Sequence, residues 1–297
     1  MANSDLSAWT PTIWAREALM HLRANLGVSR KVHRDYSKEV AQKGRVINVP
    51  VPPTLAAQTK APGSNYTFTG VTAQTVPILL DTHSYAAFEI DDIARIQARP
   101  ESISDYGKSA AIAIAEDIET RLLAEYLNAG AFVGTSGTSL TKAQILAGRR
   151  ILNTNKAPTQ NVDRTAVVST KDAEAILGDL STSNAGALNA DAGSLRDGEI
   201  GRLYGSNILE SQLTPLVVTT THGLLFHRDA IALVSRALPA PADNMGVRSE
   251  VFTDEETGVA LRVMMAFDIN TGSNKVVYDV LFGIKTLRPA WVVDLRS

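Results

Sequence analysis

Histidine is the side chain best suited to metal binding or acid–base chemistry at neutral pH, and the chain has five of them. They are scattered along the sequence, at His21, His33, His83, His222 and His227. The last two are five residues apart, whereas two metal ligands on one face of a helix need an i, i+4 spacing. In an extended segment, an odd spacing directs the two rings to opposite faces. We therefore expect ordinary structural histidines and no metal site.

Motifs for nucleophilic catalysis or phosphate binding are missing from the sequence. There is no cysteine, which excludes disulfides, thiolate zinc sites and cysteine nucleophiles. The glycine-rich residues 134–139 lack the Gly-Lys-Ser/Thr ending of a phosphate loop, and no Gly-x-Ser-x-Gly elbow occurs. Adjacent carboxylates at 91–92 and 254–256 would point apart in an extended chain, as on a solvated surface. We predict no catalytic residue and no cofactor.

Composition indicates an ordinary globular chain whose basic charge is concentrated at one end. The 297 residues are 44% hydrophobic and 20% charged, with a net charge of −2, and this length allows one large irregular domain or two ordinary ones. Residues 1–45 nevertheless hold eight Lys and Arg against four acids. Non-specific contact with nucleic acid or an acidic partner is one interpretation of this excess, and a solvated arm is the other.

The sequence predicts neither a secretory signal nor a membrane span. Its first residues do not combine a basic region with an apolar stretch. No run of 18 apolar residues occurs. We expect the protein to remain where it is made.

Two long elements dominate the first half of the chain. Residues 44–51 and 75–90 are predicted as the two strands of a hairpin, with Pro50 and Pro77 favouring edge positions. About 25 residues rich in Pro and Gly connect them, which is rare inside a compact domain, so this loop is expected to project. Residues 102–128 then show the clearest helical periodicity in the chain. The polar face predicted for this helix includes Glu119.

The remaining pattern is mixed. Residues 11–30 have helical spacing, and Trp9 and Trp14 need something to pack against. Residues 131–139 are predicted as a linker and 180–198 as a surface loop. Further helices are predicted at 141–152, from 170 and at 228–236, and strands at 164–169, 205–209, 216–220, 223–227, 248–252, 259–268 and 275–285.

The order of these elements resembles that of tailed-phage major capsid proteins of the Hong Kong 97-type fold. Residues 13–19, Ile-Trp-Ala-Arg-Glu-Ala-Leu, are similar to the opening of coat proteins in this group. Residues 44–50, Gly-Arg-Val-Ile-Asn-Val-Pro, resemble the strand that leads into their extended loop. Residues 277–285, followed by Arg288 and Pro289, resemble their terminal strand. The resemblance covers nearly the whole chain, and its specificity lies in the order of the parts.

The resemblance implies an α+β fold with five regions. These are an N-terminal arm at 1–43, an extended β-hairpin loop at 44–91, a spine helix with peripheral domain at 92–139, an α/β axial domain at 140–245, and a return to the peripheral domain at 246–297. It also implies a non-enzymatic protein that assembles in the host cytoplasm, as hexamers and pentamers of itself, into an icosahedral virion shell around double-stranded DNA. Scaffolding, portal and decoration proteins are further expected partners, and no membrane is.

The same resemblance suggests roles for particular residues. Inter-subunit contact is expected from the extended loop through Lys60, Tyr66 and Phe68, and packing of the arm through Trp9 and Trp14. Non-specific contact with DNA or scaffold is expected from the basic residues of the arm, Arg23, Arg30, Lys31 and Arg34. Some relatives cross-link a loop lysine to an asparagine, for which Asn270 or Asn274 is available, but no catalytic glutamate can be assigned. Non-covalent contacts are therefore expected.

Two other functions remain open. An encapsulin-like nanocompartment would share the fold but enclose enzymes, and a cargo-binding groove near the N-terminus would distinguish it. A small hydrolase or transferase built on residues 140–240 is the third hypothesis, although it lacks a nucleophile, metal set or phosphate loop.

Overall fold

The computed structural model describes most of the chain. The described residues are 16, 18, 20–22, 26–34, 45–51, 55, 57–66, 68, 70, 74–91, 100–159, 163–182, 201–241, 246–253 and 258–297. Trp9, Trp14 and Arg23 lie outside them, as do the carboxylates of 254–256 and most of the predicted surface loop at 180–198.

The described fold includes three α-helices and fourteen strands with defined bounds, and residues 16, 18 and 20–22 are helical as well. The helices are α1 (Pro100–Leu123), α2 (Lys142–Thr154) and α3 (Thr170–Thr182). The first seven strands are β1 (Val46–Val51), β2 (Gln74–Leu79), β3 (Thr82–Asp91), β4 (Ala131–Gly134), β5 (Arg164–Val168), β6 (Arg202–Leu203) and β7 (Ser206–Glu210). The others are β8 (Leu216–Val217), β9 (Thr220–His227), β10 (Ile231–Arg236), β11 (Val247–Thr253), β12 (Ala260–Asp268), β13 (Ser273–Thr286) and β14 (Val292–Arg296).

Helix α1 confirms the long helix predicted at 102–128. Its buried positions recur at three- and four-residue steps, which places one apolar stripe on the core. Those positions are Ala110, Ala111, Ile114, Ala115, Ile118 and Leu122. After Leu123 the chain tightens into a 3-10 helix, Ala124–Asn128, and Ala129 is extended. At 1.5 Å per residue, the 24 residues of α1 span about 36 Å.

The predicted exposure of Glu119 on this helix is wrong. Glu119 is only 3% exposed. Its carboxylate accepts hydrogen bonds from the backbone N–H groups of Val28 and Ser29, which makes this burial possible. Burying a carboxylate is tolerated only when such donors satisfy it. The helical spacing could not reveal this, since position 119 lies at the border of the apolar stripe.

The five-stranded sheet is built around β13, its longest strand. Its order is β10-β13-β12-β11, and β3 pairs with β13 as well, all antiparallel. The predicted return strand 75–90 is therefore two strands, since β2 pairs with β1 and β3 with β13. The helix predicted at 228–236 is also wrong. Only Arg228–Ala230 is helical, and β10 follows as a strand with its first five residues buried.

The seven-stranded sheet has the order β4-β14-β9-β5-β7-β6, with β8 pairing to β9. β4 lies in the segment predicted as a linker, and β14 was not predicted. Helices α2 and α3 share a core cluster with this sheet. The close packing of α2 needs Gly148, since a Cβ there would lie 2.8 Å from the Leu225 Cδ2 atom. Thr141 caps α2, with its hydroxyl accepting from the Gln144 N–H and the Gln144 side chain accepting in return.

One apolar core joins the two sheets. Tyr278 and Phe282 of the five-stranded sheet lie in the same cluster as Leu224 and Phe226 of the seven-stranded sheet and the inner stripe of α1. The two sheets take strands from several of the predicted regions. β10 belongs to the predicted axial region, residues 140–245, but lies in the five-stranded sheet. β4, from the predicted region 92–139, and β14, from the predicted region 246–297, lie in the seven-stranded sheet. The helix α1 thus packs where the sheets meet.

Candidate assembly surfaces

The β1–β2 hairpin stands on the outer face of the five-stranded sheet. Its inward side chains, Ile47, Val49, Ile78 and Leu80, form a separate apolar cluster with Ala232 and Val234 of β10. The opposite face of the hairpin, including Val46 and Leu79, remains exposed. Among the residues that the structure describes, no further strand pairs with β1 or β2, so each has one open edge, as predicted from Pro50 and Pro77.

The hairpin approaches β13 closely at one point. A Cβ at Gly283 would lie 2.1 Å from the carbonyl oxygen of Leu79, which no side chain can occupy. Leu80 donates its backbone N–H to the Arg45 carbonyl at 2.9 Å, which extends the β1–β2 ladder by one pair. The close approach at Gly283 and the apolar cluster with β10 hold the base of the hairpin against the body of the subunit.

The connection between the two strands has a different character. Every described residue from 55 to 70 is exposed, including three large apolar side chains, Leu55 at 68%, Tyr66 at 71% and Phe68 at 91%. Single exposed hydrophobic residues are common on protein surfaces, and three on one loop make this loop a candidate interaction site.

Part of this loop is locally ordered. Residues 61–64 form a turn in which Ser64 donates its N–H and its hydroxyl to the Ala61 carbonyl. Pro62 and Gly63, with φ 85° at the glycine, occupy the central positions favoured in a type II turn. The Lys60 ammonium lies 4.3 Å from the centre of the Tyr66 ring. The predicted contact residues Lys60 and Tyr66 thus lie together on the loop.

The described part of the N-terminal segment packs on its own subunit. Ala18, Leu22 and Leu26 are buried in the main core, as the helical spacing predicted. Farther along, His33 forms two backbone hydrogen bonds with β10. Its N–H donates to the Ile231 carbonyl, and its carbonyl accepts from the Leu233 N–H. Of the predicted basic contact residues in this segment, Lys31 is exposed, and Arg30 and Arg34 are half-buried.

Glu119 connects the same segment to α1. Its two carboxylate oxygens accept from the N–H groups of Val28 and Ser29 at 3.1 and 3.0 Å, at the start of a 3-10 helix, Ser29–Lys31. Burial raises the pKa of this carboxyl above its ordinary value, and the backbone hydrogen bonds counteract part of the rise. The arrangement fastens the arm to the helix through main-chain atoms.

Arg164 is a buried cation at the end of α2. It is 3% exposed and donates to the Asn153 side chain and to the carbonyls of Ala157 and Pro158. Burial, and then the nearby Arg149, lower its pKa. The two carbonyls lie in the segment after α2, and together with the Asn153 oxygen they satisfy the buried guanidinium.

The histidines of β9 face opposite sides of the strand, as their spacing predicted. His222 lies 3.1 Å from the Asp294 carboxylate and stacks on Tyr126. His227 packs edge-on against Trp291, and burial lowers its pKa. A third histidine, His83, lies 3.0 Å from the carboxylate of Asp279, which Arg262 also contacts. The His222–Asp294 and His83–Asp279 pairs connect neighbouring strands, and sequence spacing could not reveal them.

Two features of the described residues bear on other functions. No three His, Asp or Glu side chains among them lie close enough together to hold a metal ion. None of the helices in the described segments combines the length and apolar composition needed to span a bilayer.

The fold is similar to that of several solved structures. A solved structure from Mycobacterium phage Che8 is 24% identical with a TM-score of 0.64, covering 89% of this chain and 89% of that one. The capsid of cyanophage P-SCSP1u is 14% identical with a TM-score of 0.63, covering 89% of this chain and 86% of that one. The holo-SrpI encapsulin of Synechococcus elongatus PCC 7942 is less similar, at 12% identity and a TM-score of 0.52, covering 90% of this chain and 85% of that one.

The family follows from the sequence. Residues 73–280 match the family model described as phage capsid protein, and the chain belongs to that family. Among curated proteins, none matches the sequence. The predicted tailed-phage capsid protein with a mixed helix-and-sheet fold is thereby confirmed, and the Hong Kong 97-type label is consistent with these matches.

Proposed function

We propose that copies of this chain assemble, as hexamers and pentamers, into an icosahedral virion shell that encloses double-stranded DNA. Family membership supports the role of major capsid protein. The observation that carries the assembly step is the loop of residues 52–73, whose described part is entirely exposed and includes Tyr66 and Phe68. In this proposal the protein is structural and performs no catalysis.

The loop docks on a neighbouring copy. A neighbouring copy can bury Leu55, Tyr66 and Phe68. Full burial of a large apolar side chain contributes about 1.5–3 kcal/mol of favourable free energy. The ordered turn at 61–64 and the Lys60–Tyr66 contact reduce the conformational entropy that the loop loses on binding. A neighbour can also cover the open edges of β1 and β2, which would otherwise invite pairing with unrelated chains.

The remaining regions have the roles that the resemblance to capsid proteins implies. The N-terminal arm and α1 are assigned to the inner surface, where Arg23, Arg30, Lys31 and Arg34 contact DNA or a scaffold without sequence specificity. Trp9 and Trp14 pack the arm. Such phosphate contacts weaken as the salt concentration rises. Scaffolding, portal and decoration proteins are further partners, and the shell assembles in the host cytoplasm.

An encapsulin-like compartment is the second candidate function, because the encapsulin match covers 90% of this chain. The contents of the shell discriminate between the two functions. DNA that co-purifies with the shells and resists external nuclease would support the virion shell. An enclosed enzyme would instead support the encapsulin-like compartment.

Electron microscopy of the untagged protein tests the proposal. Closed icosahedral shells are expected, and a stable monomer or small dimer under all salt conditions would overturn the proposed function. A variant lacking residues 54–74 should fold without forming stable shells. The matched control is Asn65→Ala, which changes an exposed polar side chain in the same loop. Unchanged shell formation by the deletion variant would show that the loop is not the assembly element.

A further inference from the structure

A groove lies along the exposed side of α2. Its volume is about 470 Å³, and its described lining comes from this one helix. The lining residues are Ala143, Leu146, Ala147, Arg149, Arg150 and Asn153. Counted from Leu146, the two arginines lie at i+3 and i+4 and the asparagine at i+7, which are the spacings of one helix face. The small side chains of the two alanines help to make this face concave.

The groove carries positive charge that nothing nearby neutralises. Helix α2 has three basic residues and no acidic residue. Among the residues that the structure describes, neither Arg149 nor Arg150 makes a hydrogen bond or an ion pair through its side chain. Arg164 is a third cation close by, and burial, followed by the charge of Arg149, lowers its pKa. An anion in the groove would offset this repulsion.

Arg149 is held where such an anion would meet it. Its side chain is half-buried, and its guanidinium lies 4.0 Å from the position that a Cβ at Gly205 would take, beside the β6–β7 turn. A partly desolvated cation without a counter-charge is unfavourable, so binding of an anion gains more here than at a fully exposed arginine.

The lining indicates which kind of anion fits. A guanidinium donates two parallel hydrogen bonds to a carboxylate, and two adjacent guanidiniums suit a segment with several carboxylates. Leu146, one turn before them, is 47% exposed and offers an apolar contact. Single-stranded nucleic acid is usually bound on aromatic side chains, and none of the described lining residues is aromatic. The chemistry therefore favours an acidic, partly apolar protein segment over nucleic acid.

Helix α2 lies on the opposite side of the seven-stranded sheet from α1. Leu224 and Phe226 of β9 belong to the core cluster that contains α1, whereas Leu225 between them belongs to the cluster that contains α2. Since side chains alternate across a strand, the two helices cover opposite faces. With α1 on the inner surface, as in the proposed function, the groove faces the exterior of the shell.

We propose that the α2 groove binds an acidic, partly apolar segment of a separate protein at the outer surface of the shell. Carboxylates of the segment pair with Arg149 and Arg150, and an apolar side chain covers Leu146. The outward placement rests on the proposed function, whereas the chemistry of the groove is independent of it. Packaged DNA lies on the other side of the sheet and does not compete for this site.

Binding to the isolated subunit tests the groove. The probe is a fluorescent peptide of repeating Glu-Glu-Leu units, followed by fluorescence anisotropy. Arg149→Gln combined with Arg150→Gln should weaken binding at least about tenfold, and Leu146→Ser about threefold or more. Arg150→Gln alone, at an exposed position, should give a partial loss without affecting the fold. The matched control, Arg45→Gln combined with Arg248→Gln, removes the same charge at two exposed positions elsewhere and should bind as the wild type does.

Two results would overturn the groove as a peptide site. Equal losses in both double variants would mean that the peptide responds only to net charge. A DNA oligonucleotide of equal charge that binds more tightly than the peptide, and loses this affinity in the Arg149 and Arg150 variant, would make the groove a nucleic-acid site.

Assembled shells test the outward placement. The same peptide, coupled to gold particles too large to enter a closed shell, should decorate wild-type shells in electron micrographs and leave shells of the Arg149 and Arg150 variant bare. Bare wild-type shells, beside isolated subunits that bind the peptide, would overturn the outer location. A wild type that forms no shells overturns the proposed function instead, and peptide binding by the subunit still decides whether the groove is a site.

Discussion

The carboxylate of Glu119 accepts a hydrogen bond from the backbone nitrogen of Ser29 at 3.0 Å, across a sequence separation of 90 residues. A second bond, from the Val28 nitrogen, uses the other carboxylate oxygen. One side chain of α1 therefore satisfies two main-chain donors of the N-terminal arm. Either donor left buried without an acceptor would cost about 1–3 kcal/mol.

Glu119→Leu should destabilise the subunit by about 2–5 kcal/mol, because it leaves two buried N–H groups without acceptors. Glu119→Gln keeps one acceptor oxygen and should cost less, about 1–2 kcal/mol. Urea unfolding followed by circular dichroism measures both changes. The control is Glu116→Gln, an exposed carboxylate on the same helix, for which a change within about 0.5 kcal/mol is expected. Equal stability of the leucine variant would contradict the role given to Glu119.

The pKa of Glu119 predicts a pH dependence. Burial raises this pKa above 4.5, so the folded state holds the proton more tightly than the unfolded state. The contribution to stability is then fully present below 4.5 and is lost as the pH rises through the folded pKa. The unfolding free energy of the wild type should therefore fall, relative to that of Glu119→Gln, as the pH rises from 4.5 to neutrality. A constant or opposite difference, measured by urea unfolding over this window, would be inconsistent with a raised pKa.

Gly283→Ala should loosen the hairpin from the sheet. The added methyl group would lie 2.1 Å from the Leu79 carbonyl oxygen, a main-chain atom that can move only with its strand. A cost of about 1–3 kcal/mol is expected from the forced shift. Gly178→Ala is the control, because nothing lies within 4 Å of its added Cβ, and alanine in place of helical glycine should stabilise by about 0.5–1 kcal/mol. Thermal unfolding compares the two, and similar melting temperatures would refute the close approach.

Arg164→Met should destabilise the subunit by about 2–4 kcal/mol, since the Asn153 oxygen and two main-chain carbonyls lose a charged donor. Arg164→Lys should be intermediate, because an ammonium cannot reproduce the planar geometry of the guanidinium. Arg150→Met, at an exposed position on α2, serves as the control. The midpoint of urea unfolding is the measurement, and a methionine variant as stable as wild type would disprove the interaction with the end of α2.

Phe68→Ser should weaken assembly without affecting the fold. The ring is 91% exposed in the subunit, so the melting temperature should not change. If a neighbour buries it, each contact loses about 1.5–3 kcal/mol, and the protein concentration needed for shells rises about tenfold or more. Light scattering of assembly at several protein concentrations measures this shift. The prediction fails if the variant and the wild type assemble at the same concentration.

Local patterns in the sequence were sufficient for the elements that depend on local order. The stripe of α1 repeats over many turns, and the hairpin is marked by prolines, glycines and flanking apolar runs. β10 was missed because Ile231–Val234 is a short, continuously apolar run, which periodicity cannot distinguish from a buried helix. Its strand conformation depends on pairing with β13, some 50 residues later.

The buried polar contacts could not be predicted for a related reason. Glu119 and Asp279 are ordinary charged residues in sequence, and each is buried against partners from a distant segment. Arg164 is buried against the nearer Asn153, Ala157 and Pro158, whose arrangement around it depends on the fold. The left-handed backbone of Val218, with φ 59° in the turn between β8 and β9, is equally hidden, since Leu-Val-Val is a favourable strand sequence. Such features depend on tertiary structure, whereas the contact roles expected for Lys60, Tyr66 and Phe68 came from the family resemblance.

The prolines of the β1–β2 hairpin also bear on aggregation before assembly. Within the described part of the chain, this two-stranded sheet has a row of unpaired main-chain groups on each side, and such edges can template amyloid-like stacking when many copies accumulate. Pro50 and Pro77 each remove one N–H from these strands and so interrupt any continuous ladder. The prolines therefore disfavour the addition of unrelated strands to the hairpin edges. They leave the apolar side chains of the hairpin loop free for a specific partner.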